Sequence, residues 1–343
     1  MSSLRSFASS LLDRPAVAYP VCYPLLAGGR LVYGLRGTTP WLSYFAFRKL
    51  YGATRGAINH RLTAQLGRPR ADLSALPSTL AADGTLDAEA PQALAGLRRD
   101  GYYVFRQRLD PQVVERLVAL ATARPGRLVP SDPPREAVYD PRRPLVPRYQ
   151  FDEEPLLADR TVQRFLADGA LLRLAQDYLA SLPINDLFTM WWSPTAGSTP
   201  SSAAAQLFHF DMDRPGFVKF FAYLTDVTST TGPHVYVAGS HRERPPEFYR
   251  DRRFSDDEVA AAFGAQRLVE VTGPAGTLVA VDTSGLHKGK VPESGHRLMF
   301  QLELASSLFG QRYAQLAVPA GADPGFRDAV ERLPGVFRRF RLA

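Results

Sequence analysis

Gln206-Leu207-Phe208-His209-Phe210-Asp211 is the stretch on which the reading of this chain turns. On a β-strand, residues i and i+2 point to the same face. His209 and Asp211 can therefore both reach inward, while Phe210 points the other way. Farther along lie His287 and, ten residues after it, Arg297. A His-x-Asp pair with a distant His is the ligand set of a mononuclear iron site that keeps coordination positions open. Two neutral imidazoles and one carboxylate bind Fe(II) on one face. A bidentate 2-oxo acid can then take two of the open positions and O2 the third. A guanidinium at Arg297 can grip a carboxylate through two parallel hydrogen bonds. Alone, the pair is weak. Six histidines and 34 acids in 343 residues supply about 0.6 His-x-acid matches by chance. The competing reading is a surface histidine and a turn-capping aspartate, with His287 an ordinary polar loop residue.

Outward from this stretch the pattern is that of short strands. The candidates are Leu187–Trp192, Gln206–Asp211, Val218–Leu224, His234–Val237, Arg267–Val271, Thr277–Val281 and Arg297–Ala305. Turn signals divide them: Asp213-Arg214-Pro215-Gly216, Thr231-Gly232-Pro233 and Gly273-Pro274. Such a series reads as a β-sandwich or jelly-roll barrel with helices packed outside. His287 follows one strand, so a third ligand can come from across the barrel, and Arg297 opens the next strand. Trp191 and Trp192 alternate, so at most one of them is expected to face inward.

Upstream, Pro91–Asp100 reads as a helix stopped at Gly101, followed by a strand at Tyr102–Phe105. Asp110 and Pro111 open a second helix as N-cap and first helical residue. Residues 125–147 are rich in Pro and Arg and read as a long irregular loop. Arg135, Arg142, Arg143 and Arg148 are expected to be solvated there. Arg160–Leu182 reads as one amphipathic helix.

The N-terminal part differs in charge. The chain carries a net +7, yet residues 1–70 hold ten basic residues, from Arg5 to Arg70, against a single acid, Asp13. Tyr19, Tyr23, Tyr33, Trp41, Tyr44, Phe45, Phe47 and Tyr51 interleave with them. Such a segment can meet an anionic membrane surface, an acidic substrate or nucleic acid. The plainer reading, preferred here, is a helical extension whose aromatics pack on the main domain and whose arginines are solvated. Peripheral membrane contact through residues 1–70 is kept as a partner reading, and nucleic acid is not. The division expected is a basic, aromatic-rich helical extension over 1–88 and a second domain over 89–343. The apolar run from Ala16 to Gly28 is broken by Pro20 and Pro24, too short for the ~18 residues a span needs. One cysteine, Cys22, excludes a disulfide framework within the chain and fits a reducing, cytoplasmic setting.

Four ordered strings then carry a likeness. They are Leu97-Arg98-Arg99-Asp100-Gly101-Tyr102-Tyr103-Val104-Phe105; Gln206 through Asp211; Tyr223-Leu224-Thr225-Asp226-Val227 with Gly232-Pro233-His234 through Gly239-Ser240-His241; and Gly276-Thr277-Leu278 with Asp282 through Gly289, ending in Arg297. Over residues ~90–310 the chain resembles the phytanoyl-CoA dioxygenase family of Fe(II)/2-oxoglutarate-dependent oxygenases. The resemblance implies an α+β fold with a mainly β core, a double-stranded β-helix of jelly-roll or cupin-like type with flanking helices. It implies Fe(II) on His209, Asp211 and His287, with the distal carboxylate of 2-oxoglutarate on Arg297. Tyr223 matches an aromatic lining the co-substrate pocket, and Gln206 is expected to hydrogen-bond near the metal. Lys219 shares strand parity with Tyr223 and is expected to face the same pocket. With the carboxylate ligand present, hydroxylation with O2 is implied rather than halogenation. The expected substrate is a small molecule, a polar natural-product intermediate of sugar or cyclitol type. The alternatives are an acyl or lipid-linked substrate at a membrane surface, or a non-catalytic membrane- or polyanion-binding protein on the same fold. His234 and His241 are expected to be structural, His296 to face away from Arg297, and His60 to be solvated.

Overall fold

The structure is a computed structural model and describes residues 12, 14–81 and 85–342. Arg5 and Asp13, which enter the charge count above, lie outside the described residues. In chain order the elements are α1 (Pro15–Arg36), α2 (Trp41–Ala53), α3 (Ala57–Leu66), α4 (Ala90–Asp100), β1 (Tyr102–Val104), α5 (Pro111–Ala123), β2 (Gly126–Val129), β3 (Glu136–Ala137), β4 (Arg148–Phe151), α6 (Glu153–Leu157), α7 (Arg160–Leu166), α8 (Gly169–Leu179), β5 (Ile184–Pro194), β6 (Phe217–Tyr223), β7 (His234–Val237), α9 (Asp256–Phe263), β8 (Leu268–Val271), β9 (Leu278–Val281), β10 (His287–Gly289), β11 (His296–Ala305), β12 (Leu316–Ala317), α10 (Pro324–Arg332) and β13 (Phe340–Arg341).

Two antiparallel sheets form the core. The large one has the order β1-β9-β6-β11-β5-β4-β2-β3, and the small one β10-β7-β8. The segment around His209 extends the small sheet through a bridge to His287. The large sheet's register sorts its residues into two faces. Met299 sits opposite both Trp191 and Tyr223, and Gln301 opposite Phe221. These residues, with Val279 and Val281, face the small sheet and pack with its Tyr236 and Val271. The alternate residues Trp192, Met190, Phe300, Leu302, Phe220 and Ala280 face outward, into a layer built with α4, α5, α7, α8 and α10. A third layer lies outside the small sheet. There Cys22, Leu26, Phe47, Leu50, Tyr51, Ile58 and Leu62 of α1–α3 meet Phe208, Phe210, Val235 and Val237. Burying each such large apolar side chain stabilises the fold by about 1.5–3 kcal/mol. The molecule is thus helix, sheet, sheet, helix: an α+β jelly roll with a helical N-terminal region.

Local chemistry sets the element ends. Asp110 caps α5 by accepting from the Gln112 N–H at 2.7 Å, with Pro111 in the first turn. Gly101 ends α4 at φ +87°. A Cβ there would fall 2.2 Å from the Tyr236 hydroxyl, so the glycine both turns the chain and lets α4 close on β7.

Several expectations are corrected. Pro20 and Pro24 do not break the first segment; α1 runs through both for 22 residues. The two prolines stand on its exposed side, and packing against α2 offsets the lost hydrogen bonds. Arg160–Leu182 is two helices, because Asp168 accepts from the Ala170 and Leu171 N–H groups and starts α8 afresh. Residues 125–147 are not wholly irregular, since β2 and β3 pair at the edge of the large sheet. Gln206–Asp211 is extended but held by single bridges rather than a full ladder. The tryptophan pair is as expected, with Trp191 alone on the inner face; Trp192 is buried as well, because helices cover the outer face of the sheet. No helix among the described residues is long and apolar enough to cross a membrane.

Candidate metal centre

His209 and His287 exchange both backbone hydrogen bonds, His209 N–H to His287 C=O at 2.9 Å and the reverse at 2.8 Å. Directly opposed residues share a face, so the two imidazoles stand side by side, 4.3 Å between ring centroids. Two residues along, the Asp211 N–H donates to Thr283 C=O at 2.8 Å, which turns its carboxylate to the same side. One carboxylate oxygen lies 3.7 Å from His209 Nε2 and the other 3.6 Å from His287 Nε2. One potential ligand atom from each of the three side chains lies within 4.8 Å of the others.

The histidine tautomers follow from their neighbours. His209 Nδ1 meets Leu207 C=O at 2.9 Å, and His287 Nδ1 meets Gly285 C=O at 3.0 Å. A carbonyl only accepts, so each Nδ1 carries the proton and each Nε2 offers a lone pair inward. Burial, with His287 next to it, pushes His209 down to about 3. Burial lowers His287 as well. Both rings are therefore neutral near pH 7, the form that ligates a metal. Burial alone would raise the Asp211 carboxyl, but the Lys219 ammonium at 2.7 Å and the two histidines hold it far below the usual range. Lys219 also lies 3.2 Å from Glu303 and 3.4 Å from Asp213. Burial pushes Glu303 well up and Asp213 up. Of these three carboxylates, Asp211 is the one held most firmly in its charged form. The donor set, two Nε2 lone pairs and an ionised carboxylate, fits a divalent first-row metal.

Arg297, the second residue of β11, lies on the inner face opposite Ser193 of β5. The residue is 4% exposed. It donates to Gly232 C=O and, at 3.4 Å, to the Ser193 hydroxyl. Its Nε has no hydrogen-bond partner. Gly232 sits at φ +82°, and a Cβ there would meet Pro292 at 2.7 Å and the Lys290 carbonyl at 2.8 Å. Tyr223 is brought beside Arg297, where its hydroxyl donates to Val271 C=O at 2.8 Å and accepts from the His234 N–H. Lys219 lies on the same face as Tyr223 but reaches Asp211, at the metal end. Gln206 turns its side-chain oxygen to the Ser201 N–H at 2.9 Å, closing its own loop.

Three residues went unrecognised in the sequence. Arg148 is half-buried rather than free in solvent. It lies one residue beyond the Tyr149–Trp192 pair, which places it next to Ser193 and in line with Arg297. Its guanidinium covers the Trp191 ring at 4.2 Å, and its Nε has no partner. Burial and the Arg297 charge push it down to about 10. The alternation Arg148-Tyr149-Gln150-Phe151 was the available signal. His234 faces inward, its ring 5.3 Å from that of His287, and burial lowers it strongly. Arg253 is exposed beside the triad, reaches the Ser202 hydroxyl at 3.2 Å and feels the Asp211 charge. Neither Arg148, half-buried, nor Arg297, buried, has a carboxylate partner among the described residues, and an unpaired buried cation is costly. Two such guanidiniums side by side form a receptor for an anion. His296 packs against Trp192 on the opposite face. A cavity of about 830 Å³ lies elsewhere, between α3, α8 and the start of β6, lined by His60 among others, and shares no residue with the triad. Donor atoms, not the size of a hollow, locate the metal centre.

The family whose sequence model matches the chain, over residues 97–297, is phytanoyl-CoA dioxygenase. No curated protein matches the chain in sequence. Among solved structures it is similar to the non-heme alpha ketoglutarate dependent epimerase SnoN from nogalamycin biosynthesis: 17% identity, 64% of this chain and 83% of that one, TM-score 0.47. It is also similar to HygX from Streptomyces hygroscopicus with nickel, 2-oxoglutarate and hygromycin B bound: 17% identity, 67% and 94% covered, TM-score 0.46. A third is EctD from S. alaskensis with bound Fe: 19% identity, 70% and 83% covered, TM-score 0.46.

Proposed function

The chain belongs to the phytanoyl-CoA dioxygenase family, whose model spans more than half of it, and from this premise we propose that it is an Fe(II)- and 2-oxoglutarate-dependent oxygenase that hydroxylates a small molecule. One observation carries the proposal. Two Nε2 lone pairs and an ionised carboxylate converge on one point, beside a buried arginine, Arg297, and a half-buried one, Arg148, neither with a carboxylate partner among the described residues. When bound, the metal and 2-oxoglutarate supply O2-driven oxidation of an unactivated C–H bond, coupled to decarboxylation of 2-oxoglutarate to succinate.

The chain's own residues do the rest. His209, Asp211 and His287 hold the metal from one side. Lys219 keeps Asp211 ionised and aimed. Arg297, seated on Gly232 and Ser193, takes the distal carboxylate of 2-oxoglutarate, with Arg148 beside it. Tyr223 and Trp191 wall this pocket, while Met299 and Phe221 keep water from it. Asp211 would supply the third protein ligand, leaving no ligand gap for a halide to fill, which favours hydroxylation over halide transfer. Arg253 and Ser202 at the rim offer polar and cationic contacts, which suits a polar, oxygen-rich substrate better than an acyl chain.

Anaerobic addition of Fe(II) and 2-oxoglutarate should produce a visible charge-transfer absorption that requires both components and vanishes with a chelator. Admitting air should then release succinate. A folded protein that gives neither signal sinks the proposal. A smaller test addresses the arginine seat. Gly232→Ala forces a side chain into left-handed backbone and into Pro292, at a cost of about 1–3 kcal/mol. A lower Tm and a raised KM for 2-oxoglutarate are expected together; an unchanged KM would show that this carbonyl does not position Arg297.

A further inference from the structure

The outward face of α1 is apolar along its whole length. Its inward face, Ala18, Cys22, Leu26 and Gly29, is already packed. Gly29 lies hard against Ser43 of α2, and the Ser43 hydroxyl donates to Leu25 C=O at 2.9 Å. Soluble proteins usually set polar residues on the side away from such a contact. Here that side carries Pro20, Val21, Pro24, Ala27, Gly28, Leu31, Gly34 and Leu35, all exposed. Leu31 is 67% exposed and Leu35 78%. Past the turn at Gly37, α2 adds Trp41 at 65% and Leu42 at 51%. The Trp41 ring stacks on Phe45 at 5.8 Å, and Lys49 caps the same Phe45 ring at 5.8 Å. A face this apolar marks a contact surface.

Charge chooses the occupant. No acid occurs between residues 14 and 70. Arg48 and Arg70 are neutralised by Asp251 and Asp177 from elsewhere in the chain, and Arg14, Arg30, Arg36, Lys49, Arg55 and Arg61 keep the region basic. A second copy of the chain would place the same basic patch against itself, because a two-fold contact is self-complementary. An anionic bilayer meets both halves of the pattern, apolar side chains for the acyl boundary and arginines for the headgroups. The helix is not apolar enough to cross, so it lies in the surface. We propose that the α1–α2 hairpin seats the protein on anionic phospholipid membranes, with Leu31, Leu35, Trp41 and Leu42 inserted.

The test is co-sedimentation of the full chain with phosphatidylcholine vesicles, with and without about one-third phosphatidylserine. Binding should be at least about tenfold tighter with phosphatidylserine and should weaken from about 0.1 M to about 1 M salt, as the Debye length shrinks. Trp41 is the exposed one of the three tryptophans, so emission should shift to the blue on binding. Leu31→Asp with Leu35→Asp should lower partitioning by at least about tenfold while circular dichroism and 2-oxoglutarate turnover stay as they were. Should that pair unfold the protein, Leu35→Asp alone is the check. No binding, binding that ignores these substitutions, or a dimer in sedimentation equilibrium that they dissociate, each overturns the proposal.

Discussion

Asp211→Ala is expected to abolish substrate oxidation while leaving the protein folded. Removing this carboxylate deletes one of the three proposed ligands and leaves Lys219 beside the site without its closest counter-charge. Two histidines then face a buried cation with nothing between them and it. Losing an outer partner of a metal ligand commonly costs 10–100-fold in affinity, and losing the ligand itself should cost at least about 10³-fold, or about 4 kcal/mol. Iron retention after gel filtration and succinate formation are the two readouts. The fold should survive, because Asp211 carries no core packing and its backbone bond to Thr283 does not depend on the side chain. Full turnover in a folded Asp211→Ala protein would falsify the assignment of the metal centre. His209→Ala should behave alike.

The second large effect is at Arg297. Arg297→Ala should raise the KM for 2-oxoglutarate by about 10²–10³-fold. Truncating one partner of a buried, hydrogen-bonded charge pair costs about 2–5 kcal/mol, and each 1.4 kcal/mol is tenfold. The metal site should be untouched, so iron affinity should hold while co-substrate affinity falls. Arg297→Lys keeps the charge but loses the two-pronged geometry and the reach to Ser193, so it should recover part of the affinity. Arg148 beside it bounds the loss, since one guanidinium remains. Equal KM values for the three proteins would remove Arg297 from the pocket.

Much of this was legible because period and punctuation agreed. Asp110-Pro111 announced a helix start, Gly101 a helix end, and the alternation through His209 and Asp211 an inward pair. What stayed hidden had physical causes. Alternation identifies an inner face only when the outer face is polar, and here helices cover it. That is why Trp191 and Trp192 are both buried and why β4, with Arg148, passed for loop. Pro20 and Pro24 misled because a helix tolerates proline when their missing donors lie on the open side. His234 was expected to be structural, since one residue cannot show which face its strand presents.

The His209–Asp211 stretch has one more consequence, for length rather than for composition. In the proposed reading its odd positions, His209 and Asp211, serve the metal, while the neighbouring Phe208 and Phe210 lock into the layer under α2 and α3. Phe210 is clamped between Tyr51 at 5.3 Å and the Arg244 guanidinium at 4.3 Å. Most single substitutions here damage one set and spare the other. Inserting or deleting one residue exchanges the two sets at once, driving imidazole and carboxylate into the greasy layer and phenyl rings onto the metal. Drift in this segment is therefore tolerable in letters and forbidden in count.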